Sequence, residues 1–106
     1  MAKFVLLYSG GSMPESEAEY AAVMQAWEAW YTQLDGAVVD PGDPFTPTAK
    51  SIASNGQVSD GPVGGMATGY TIIQADALDA AVAMAKGCPI LKAGGQISVY
   101  ETLQLM

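Results

Sequence analysis

The first half of the chain changes from a continuous apolar run to a helical pattern. Residues 3–8 are almost all apolar and stop at Ser9-Gly10-Gly11, which predicts a strand buried on both faces. Over residues 16–35 the apolar positions recur at three- and four-residue steps, which predicts an amphipathic helix with a broad aromatic face. Ser16 with Glu19 has the spacing of a capping box, and Gly36 is expected to end the helix in the left-handed conformation.

The second half contains shorter elements separated by turn residues. Residues 37–40 predict a short strand that runs into a proline-rich loop over residues 41–47. Asn55-Gly56 lies between two short alternating runs and predicts a hairpin over residues 50–59. Residues 68–74 predict a second long strand, and Asp76 is expected to cap a helix over residues 77–86 that Gly87 stops. Apolar and polar side chains alternate over residues 96–101, which predicts the last strand.

This order of elements indicates one fold class. Strand, helix, strand with a hairpin, strand, helix and strand are typical of an α+β ferredoxin-like plait, βαββαβ with an extra hairpin. Its mainly antiparallel four-stranded sheet carries two helices on one face. Residues 4–8 and 70–73 offer apolar groups to both faces, so the second face needs a cover, and a second copy is the economical one. We expect a single domain over residues 1–106 and a homodimer whose sheets pack face to face.

Composition and charge exclude several classes of partner. Half of the residues are hydrophobic and 14% are charged, which indicates a folded soluble domain. The net charge of −7 repels phosphate backbones and anionic lipids, so no nucleic acid partner is expected. The sequence has neither a secretory leader pattern nor an apolar run of about 20 residues. No membrane association is expected, and the expected location is cytoplasmic.

The chain lacks the side chains of many catalytic sites. It contains no histidine, which removes the commonest zinc ligand and general base, and its single cysteine excludes an intrachain disulfide. Cys88 follows a predicted helix end, where partial negative charge disfavours the thiolate, so it is expected to be a buried small hydrophobe. The sequence predicts no cofactor and shows no recognisable catalytic constellation.

Asp60 is the best candidate for a functional carboxylate. It lies in Ser59-Asp60-Gly61-Pro62, where Gly61 permits unusual φ values and Pro62 fixes its own. One reading makes Asp60 a ligand anchor or general base at the mouth of a pocket, with a pKa raised by burial. The other makes it a turn former that bonds nearby backbone. Both readings remain open from the sequence.

Aromatic residues provide the candidate pocket walls. Trp27 is favoured over Trp30 as the pocket residue, because it is in register with other aromatic and apolar positions of the helix. Tyr8 and Tyr70 lie on predicted strands and are candidates to point hydroxyls into the same cavity. The alternative for all of them is a purely structural role in the core.

The proline-rich loop supplies the remaining candidates. Asp43 and Phe45 form a candidate lid, because Phe45 must pack on something, either the pocket rim or a partner subunit. Asp40, Asp43 and Asp60 have no spacing known from a cation-binding loop, and the prolines explain the segment as a rigid excursion. The sequence therefore predicts no metal site.

Seven segments spread over nearly the whole chain carry a family resemblance. They are residues 4–8, the Trp27/Trp30 helix, Ser59-Asp60-Gly61-Pro62, residues 69–72, the Ala80-Ala81 helix, Gly87-Cys88-Pro89 and residues 94–101. With these segments the chain resembles the YCII-related family, in its DGPF-type branch. The resemblance implies a dimeric α+β barrel with a small pocket between helix and sheet in each protomer, mostly without assigned activity. Val63 replaces the phenylalanine of the name motif, and no histidine is present for the His-Asp pair of some members.

Two function classes follow from the residues and the resemblance. In the first, the chain is a homodimeric small-molecule binder or weak enzyme, with Asp60 as the polar anchor of a pocket and Trp27, Tyr8 and Tyr70 as its walls. In the second, it is a noncatalytic dimeric module for protein interaction or regulation, in which the aromatic residues only pack. The missing histidine disfavours catalysis by the first class.

Overall fold

The computed structural model describes residues 1–104. Along the chain its elements are β1 (Ala2–Ser9), α1 (Glu17–Leu34), β2 (Val38–Asp40), β3 (Lys50–Ile52), β4 (Val58–Asp60), β5 (Ala67–Ala75), α2 (Leu78–Ala85) and β6 (Gln96–Glu101). Two 3₁₀ turns, Asp35–Ala37 and Pro89–Leu91, lead into β2 and towards β6. These elements match the order that the sequence predicts.

Four of the strands form one sheet in the order β2-β5-β1-β6, and each neighbouring pair is antiparallel. β3 and β4 form a separate two-stranded hairpin. Both helices pack on one face of the four-stranded sheet, because α1 and α2 contribute to the same buried cluster as β1. The predicted ferredoxin-like α+β fold with an extra hairpin is confirmed.

The two faces of the sheet have different environments. Along β1, Phe4, Leu6 and Tyr8 are buried on the side of the helices, whereas Val5 and Leu7 between them are half-buried on the opposite side. We call these the helix side and the outer face. Residues that pair directly across an antiparallel ladder point to the same face, which assigns the neighbouring strands as well.

The outer face presents two adjacent rows of side chains across three strands. The first row is Ile72, Val5 and Tyr100, and the second is Tyr70, Leu7 and Ser98. Tyr100 is 58% exposed, and the aliphatic members of both rows are half-buried in a single chain. The predicted second apolar face is therefore present, and no part of residues 1–104 covers its first row with another layer.

The predicted N-cap of α1 is present, whereas the predicted caps at the end of α1 and at the start of α2 are not. Ser16 caps α1 as predicted, because its hydroxyl accepts a hydrogen bond from the Glu19 N–H at 3.1 Å. The positive φ at the end of α1 belongs to Asp35 (φ 50) and not to Gly36, because the chain enters a 3₁₀ turn at once. The prediction that Asp76 caps α2 is wrong, since the N-cap residue is Ala77. Within the described residues, neither helix is long and apolar enough to cross a membrane.

The hairpin of β3 and β4, residues 50–60, stands away from the body of the molecule, and we call it the arm. Asn55 and Gly56 form its turn, with Gly56 at φ 90, as the sequence predicts. Every residue from 52 to 60 is exposed. The radius of gyration of 15.2 Å exceeds the roughly 13 Å typical of a globular domain of this length. The projecting arm accounts for this extended shape.

Candidate functional site

The six residues that the sequence proposes for a pocket lie in three separate places. Tyr8 and Trp27 are together on the helix side, where their rings are in contact. Asp43, Phe45 and Tyr70 are together at the edge of the outer face. Asp60 lies on the arm. The sheet itself separates the first group from the second.

The helix-side group is an aromatic cluster centred on Trp27. Its ring centroid lies 5.5 Å from that of Tyr8, 5.8 Å from that of Trp30 and 5.9 Å from that of Tyr31. The spacing of three and four residues along α1 brings these side chains to one face of the helix. Trp30 is 3% exposed and its indole N–H donates to the Met84 carbonyl at 3.0 Å, whereas Trp27 is half-buried. Trp30 is thus a core residue, and Trp27 lies at the margin of the core.

A chain of hydroxyl groups connects this cluster to the loop after β2. The Tyr8 hydroxyl donates to Thr71 Oγ1 at 2.7 Å, and the Thr71 hydroxyl donates to the Pro41 carbonyl at 3.0 Å. The Tyr31 hydroxyl donates to the same carbonyl at 3.3 Å. Two side chains therefore hold the Pro41 carbonyl against the sheet. The network ties α1, β1 and β5 to the start of the proline-rich loop.

Burial keeps the phenol of Tyr8 and the thiol of Cys88 in their neutral forms. Desolvation raises the pKa of the Tyr8 phenol far above its ordinary value, although its hydrogen bond to Thr71 acts in the opposite direction. Desolvation also raises the pKa of the Cys88 thiol, which is 2% exposed. The prediction that Cys88 is a buried small hydrophobe is confirmed. Neither group is suited to act as a nucleophile near neutral pH.

We expect Tyr8→Phe to make the protein less sensitive to alkaline pH. The unfolded phenol ionises above its ordinary pKa of 10.0, and the folded one stays neutral, so stability is complete below that pH and is lost as the pH rises above it. One such group contributes up to about 1.4 kcal/mol per pH unit. Urea unfolding at several pH values between 8 and ~11 measures the slope.

The control for this experiment is Tyr20→Phe, at a position that is 59% exposed. Tyr8→Phe itself is expected to cost about 1 kcal/mol at neutral pH, because one buried hydrogen bond is lost. Equal alkaline slopes for wild type and Tyr8→Phe would contradict the assignment of Tyr8 as the responsible group.

The second group surrounds Tyr70 on the outer face. One carboxylate oxygen of Asp40 accepts from the Gly42 N–H at 2.8 Å, and the other accepts from the Tyr70 hydroxyl at 3.3 Å. The negative charge of Asp40 raises the pKa of this phenol above its ordinary value. Phe45 stacks on the Tyr70 ring at 5.8 Å and is still 45% exposed. Within one chain, the candidate lid therefore packs on Tyr70.

Asp60 has a surface environment in the single chain. Its carboxylate accepts from the Lys50 ammonium at 2.7 Å across the arm, and the Asp60 side chain is 92% exposed. An exposed pair of this kind contributes little to stability. No three histidine, cysteine or acidic residues among residues 1–104 come together as a metal site would require. A role of Asp60 in a pocket stays a prediction, and in one chain no other candidate residue contacts it.

An open groove of about 410 Å³ runs beside Trp27. One wall is the first half of α1, and the other is formed by the segment before α1 and the turn before β6. Met13, Pro14, Ala22, Val23, Ala26, Trp27, Pro89, Ile90 and Ala93 make its lining mainly apolar, and Ser12, Glu19 and Lys92 add polar groups. Binding sites of this size are typically apolar with a few polar groups that orient the ligand.

The charged groups of this groove are not equally available. One Glu19 carboxylate oxygen accepts from the Glu15 N–H at 2.9 Å, one residue before the N-cap Ser16. Lys92 forms no salt bridge with any residue of the described part of the chain. A second groove, of about 340 Å³, lies between α1 and α2 and is lined by no charged side chain. The groove beside Trp27 is therefore the better candidate for recognition of a polar ligand.

The sequence did not single out the loop residues of this groove or the Thr71 hydroxyl network. The signal for the groove is the pair of glycine-rich segments, residues 9–11 and 94–95, which lie at the same end of the sheet because Ser9 pairs with Gln96. Thr71 occupies a buried position in a strand that otherwise buries apolar groups. A polar residue at such a position requires a partner, and this requirement was the available signal.

Comparison with known proteins shows the fold. No protein family model matches the chain, and no curated protein does. Among solved structures, it is similar to 5-chloro-2-hydroxyhydroquinone dehydrochlorinase (TftG) from Burkholderia phenoliruptrix AC1100, in complex with 2,5-dihydroxybenzoquinone. The TM-score is 0.57 at 16% sequence identity, and the match covers 96% of this chain and 94% of the other. At this identity the likeness concerns the ferredoxin-like α+β architecture over almost the full length of both chains.

Proposed function

We propose that this chain forms a homodimer and binds a planar, anionic small molecule against Trp27, without catalysing a reaction. The observation that carries the proposal is the mainly apolar groove of about 410 Å³, which combines an indole wall with Lys92. The indole offers a flat apolar surface to a planar ring, and the ammonium group favours a negatively charged ligand. The missing histidine argues for binding rather than turnover.

The electrostatics of the whole chain make Lys92 a selective feature. The chain contains four cationic side chains, all of them lysines, and eleven acidic ones. A general excess of negative charge repels anions from most of the surface. An anion that binds despite this repulsion needs a specific cation, and Lys92 lines the groove. We expect a compound with one or two negative charges and no phosphate chain.

The fold neighbour supplies a compound with which to test the groove. Its solved complex contains 2,5-dihydroxybenzoquinone, a small planar ring with acidic hydroxyl groups. The ring matches the flat wall that Trp27 offers, and the acidic groups match Lys92. We propose it as a trial ligand of suitable chemistry, and the natural ligand as a compound of the same class.

Tryptophan fluorescence provides the binding experiment. The chain has two tryptophans, so Trp30→Phe leaves Trp27 as the single indole reporter. The quinone is expected to quench this emission at saturable, micromolar to millimolar concentrations. In the same background, Lys92→Gln is expected to weaken binding about tenfold, because a hydrogen bond to a charged group contributes about 1.5 kcal/mol.

The matched control is Lys86→Gln, since Lys86 is an exposed lysine outside the groove. Both variants remove one positive charge, so a difference between them isolates the position. Equal affinities for the two variants, or quenching no stronger than that of free tryptophan, would contradict binding at this groove.

The resemblance to the DGPF-type branch also belongs to this proposal. The ferredoxin-like fold agrees with the wider group of dimeric α+β barrels, and the assignment to the branch rests on Ser59-Asp60-Gly61-Pro62. We propose that the chain is a single cytoplasmic domain and a divergent member of that branch. The Asp60 carboxylate is exposed in the isolated chain. We therefore propose that Asp60 contributes to a ligand site only in the dimer.

A further inference from the structure

The arm exposes apolar side chains that no other element within residues 1–104 covers. Ile52 is 69% exposed and Val58, which pairs with it across the hairpin, is 56% exposed. A two-stranded hairpin is at best marginally stable in water by itself. Since the arm is well formed but makes no extensive contact with the body, it needs a surface outside its own chain.

The outer face of the sheet offers a surface of matching character. Its central row, Ile72, Val5 and Tyr100, is apolar and lies open in the single chain. Sheets of this kind bury such a face against another layer. One chain thus contains both an unpartnered apolar hairpin and an unpartnered apolar sheet face, and one symmetric pairing covers both of them.

The distribution of charge favours a second copy of the same chain over another partner. On the outer face of β1, β5 and β6 the alternation of side chains leaves Lys3 as the single charged residue. The arm carries Lys50 and Asp60, which neutralise each other. At the β2 edge of this face lies Asp40, whose carboxylate accepts from the Gly42 N–H and the Tyr70 hydroxyl. Five of the eleven acidic residues are on or beside α1, on the other side of the sheet: Glu15, Glu17, Glu19, Glu28 and Asp35. A chain of net charge −7 can therefore pair through these two surfaces with little repulsion.

The root of the arm has the backbone freedom that such a pairing requires. Gly61 and Gly64 have φ values of 84 and 75, and Gly65 follows them directly. An added Cβ at any of the three would meet open space. Short glycine-containing segments between rigid elements are typical hinge positions. The connection after β4 is thus flexible enough to adjust to a partner, whereas the connection before β3 is anchored on β5 by the bond from the Phe45 N–H to the Thr68 carbonyl.

We infer that the arm is an exchanged element, which packs its Ile52 and Val58 surface on the outer face of a second copy of this chain. The two-fold symmetry of a homodimer gives each sheet the arm of its partner. In this arrangement Asp60 of one protomer lies against the other protomer, so the carboxylate that is exposed in the single chain gains contacts in the dimer. This inference rests on the proposed homodimer and adds the segment that completes it.

Site-specific cross-linking tests where the arm lies. A chain with Val58→Cys is mixed, unfolded and refolded with a chain of different mass carrying Tyr100→Cys, and a short bis-maleimide is added. The native Cys88 is buried and is not expected to react in the folded protein. We expect a cross-linked heterodimer in high yield. Glu28→Cys replaces Tyr100→Cys in the control mixture, because Glu28 is exposed on α1 and away from the outer face.

Light scattering on the wild-type protein separates the two proposals. A monomeric wild type would overturn the homodimer and the exchanged arm together. A dimeric wild type without the Val58–Tyr100 cross-link, or with equal cross-linking to position 28, would overturn the arm inference and leave the homodimer standing. A cross-link specific to position 100 supports the inference.

A surface variant measures how much the arm contributes. Ile52→Ser combined with Val58→Ser keeps the hairpin turn and its charges, and changes two side chains that contact nothing in their own chain's core. We expect the dimer dissociation constant to rise at least tenfold, with an unchanged circular dichroism spectrum. An unchanged dissociation constant would contradict a role of the arm surface in assembly and favour a different protein as its partner.

Discussion

Gly42→Ala is expected to lower the free energy of unfolding by about 3 kcal/mol or more, through positive φ and steric overlap. Gly42 has φ 73, and a Cβ built at this position would overlap the backbone carbonyl of Tyr70. The carbonyl belongs to a strand at the centre of the sheet and cannot move aside. The loop would therefore have to leave β5, and Pro41 would lose its bonds from Thr71 and Tyr31.

Two other glycines separate the causes of this loss. Gly56 also has positive φ, at 90, but an added Cβ there meets open space, so Gly56→Ala is expected to show conformational strain alone. Gly36→Ala should be nearly neutral, since neither strain nor contact arises at that position. Urea unfolding of the three variants gives the comparison. If Gly42→Ala costs no more than Gly56→Ala, the close approach of this loop to β5 is not important for stability.

Trp30→Ala is the second large effect, with an expected loss of about 3–5 kcal/mol. Trp30 is 3% exposed and belongs to the buried cluster that joins α1 to the sheet. Its removal leaves a cavity and takes the indole hydrogen bond from the Met84 carbonyl, which keeps its backbone donor at Gly87. For a domain of this size, the melting temperature should fall by more than about 12 °C.

Trp27→Ala provides the comparison because the two tryptophans are neighbours on one helix. Trp27 is half-buried and lines the groove, so its replacement is expected to cost less stability than that of Trp30. It should instead abolish the stabilisation of the protein by 2,5-dihydroxybenzoquinone in a thermal shift experiment. Similar melting temperatures for the two variants would contradict the division between a core tryptophan and a groove tryptophan.

Gly42 and Trp30 both adjoin the aromatic cluster around Trp27, although neither of them lines the groove. Gly42 fixes the loop that Tyr31 and Thr71 hold from the helix side, and Trp30 fixes the helix that carries Trp27. A ligand that contacts Trp27 therefore meets a wall with little freedom to move. Such preorganisation lowers the entropic cost of binding, which is consistent with a binding role for the groove.

Local signals in the sequence predicted most of the regular structure. The capping box at Ser16, the Asn55-Gly56 turn and the alternation over residues 96–101 each depend on neighbours a few residues away. Their outcomes in the structure agree with those predictions. Asp76 failed as a cap because the helix starts one residue later, at a position that the end of the long strand β5 determines.

The candidate site was less accessible to such reasoning. Tyr8 and Tyr70 both lie on strands and were assigned to one pocket, but the sheet places them on opposite faces. Strand parity, which fixes the face of each side chain, was available from the sequence. The partner of each strand was not, and only the pairing of Tyr8 with Gly69 and of Leu7 with Tyr70 shows which groups meet.

The sequence by itself determined the elements, the fold class and the scarcity of chemical groups, because these depend on local periodicity and on composition. It also indicated a second apolar face, since Val5, Leu7 and Ile72 follow directly from the alternation of buried strands. The tertiary structure alone decided that Trp27 borders an open groove with Lys92 and that Asp60 projects on an arm, bonded to Lys50. Those relations join residues that are far apart in the chain, and only the packing of the whole domain creates them.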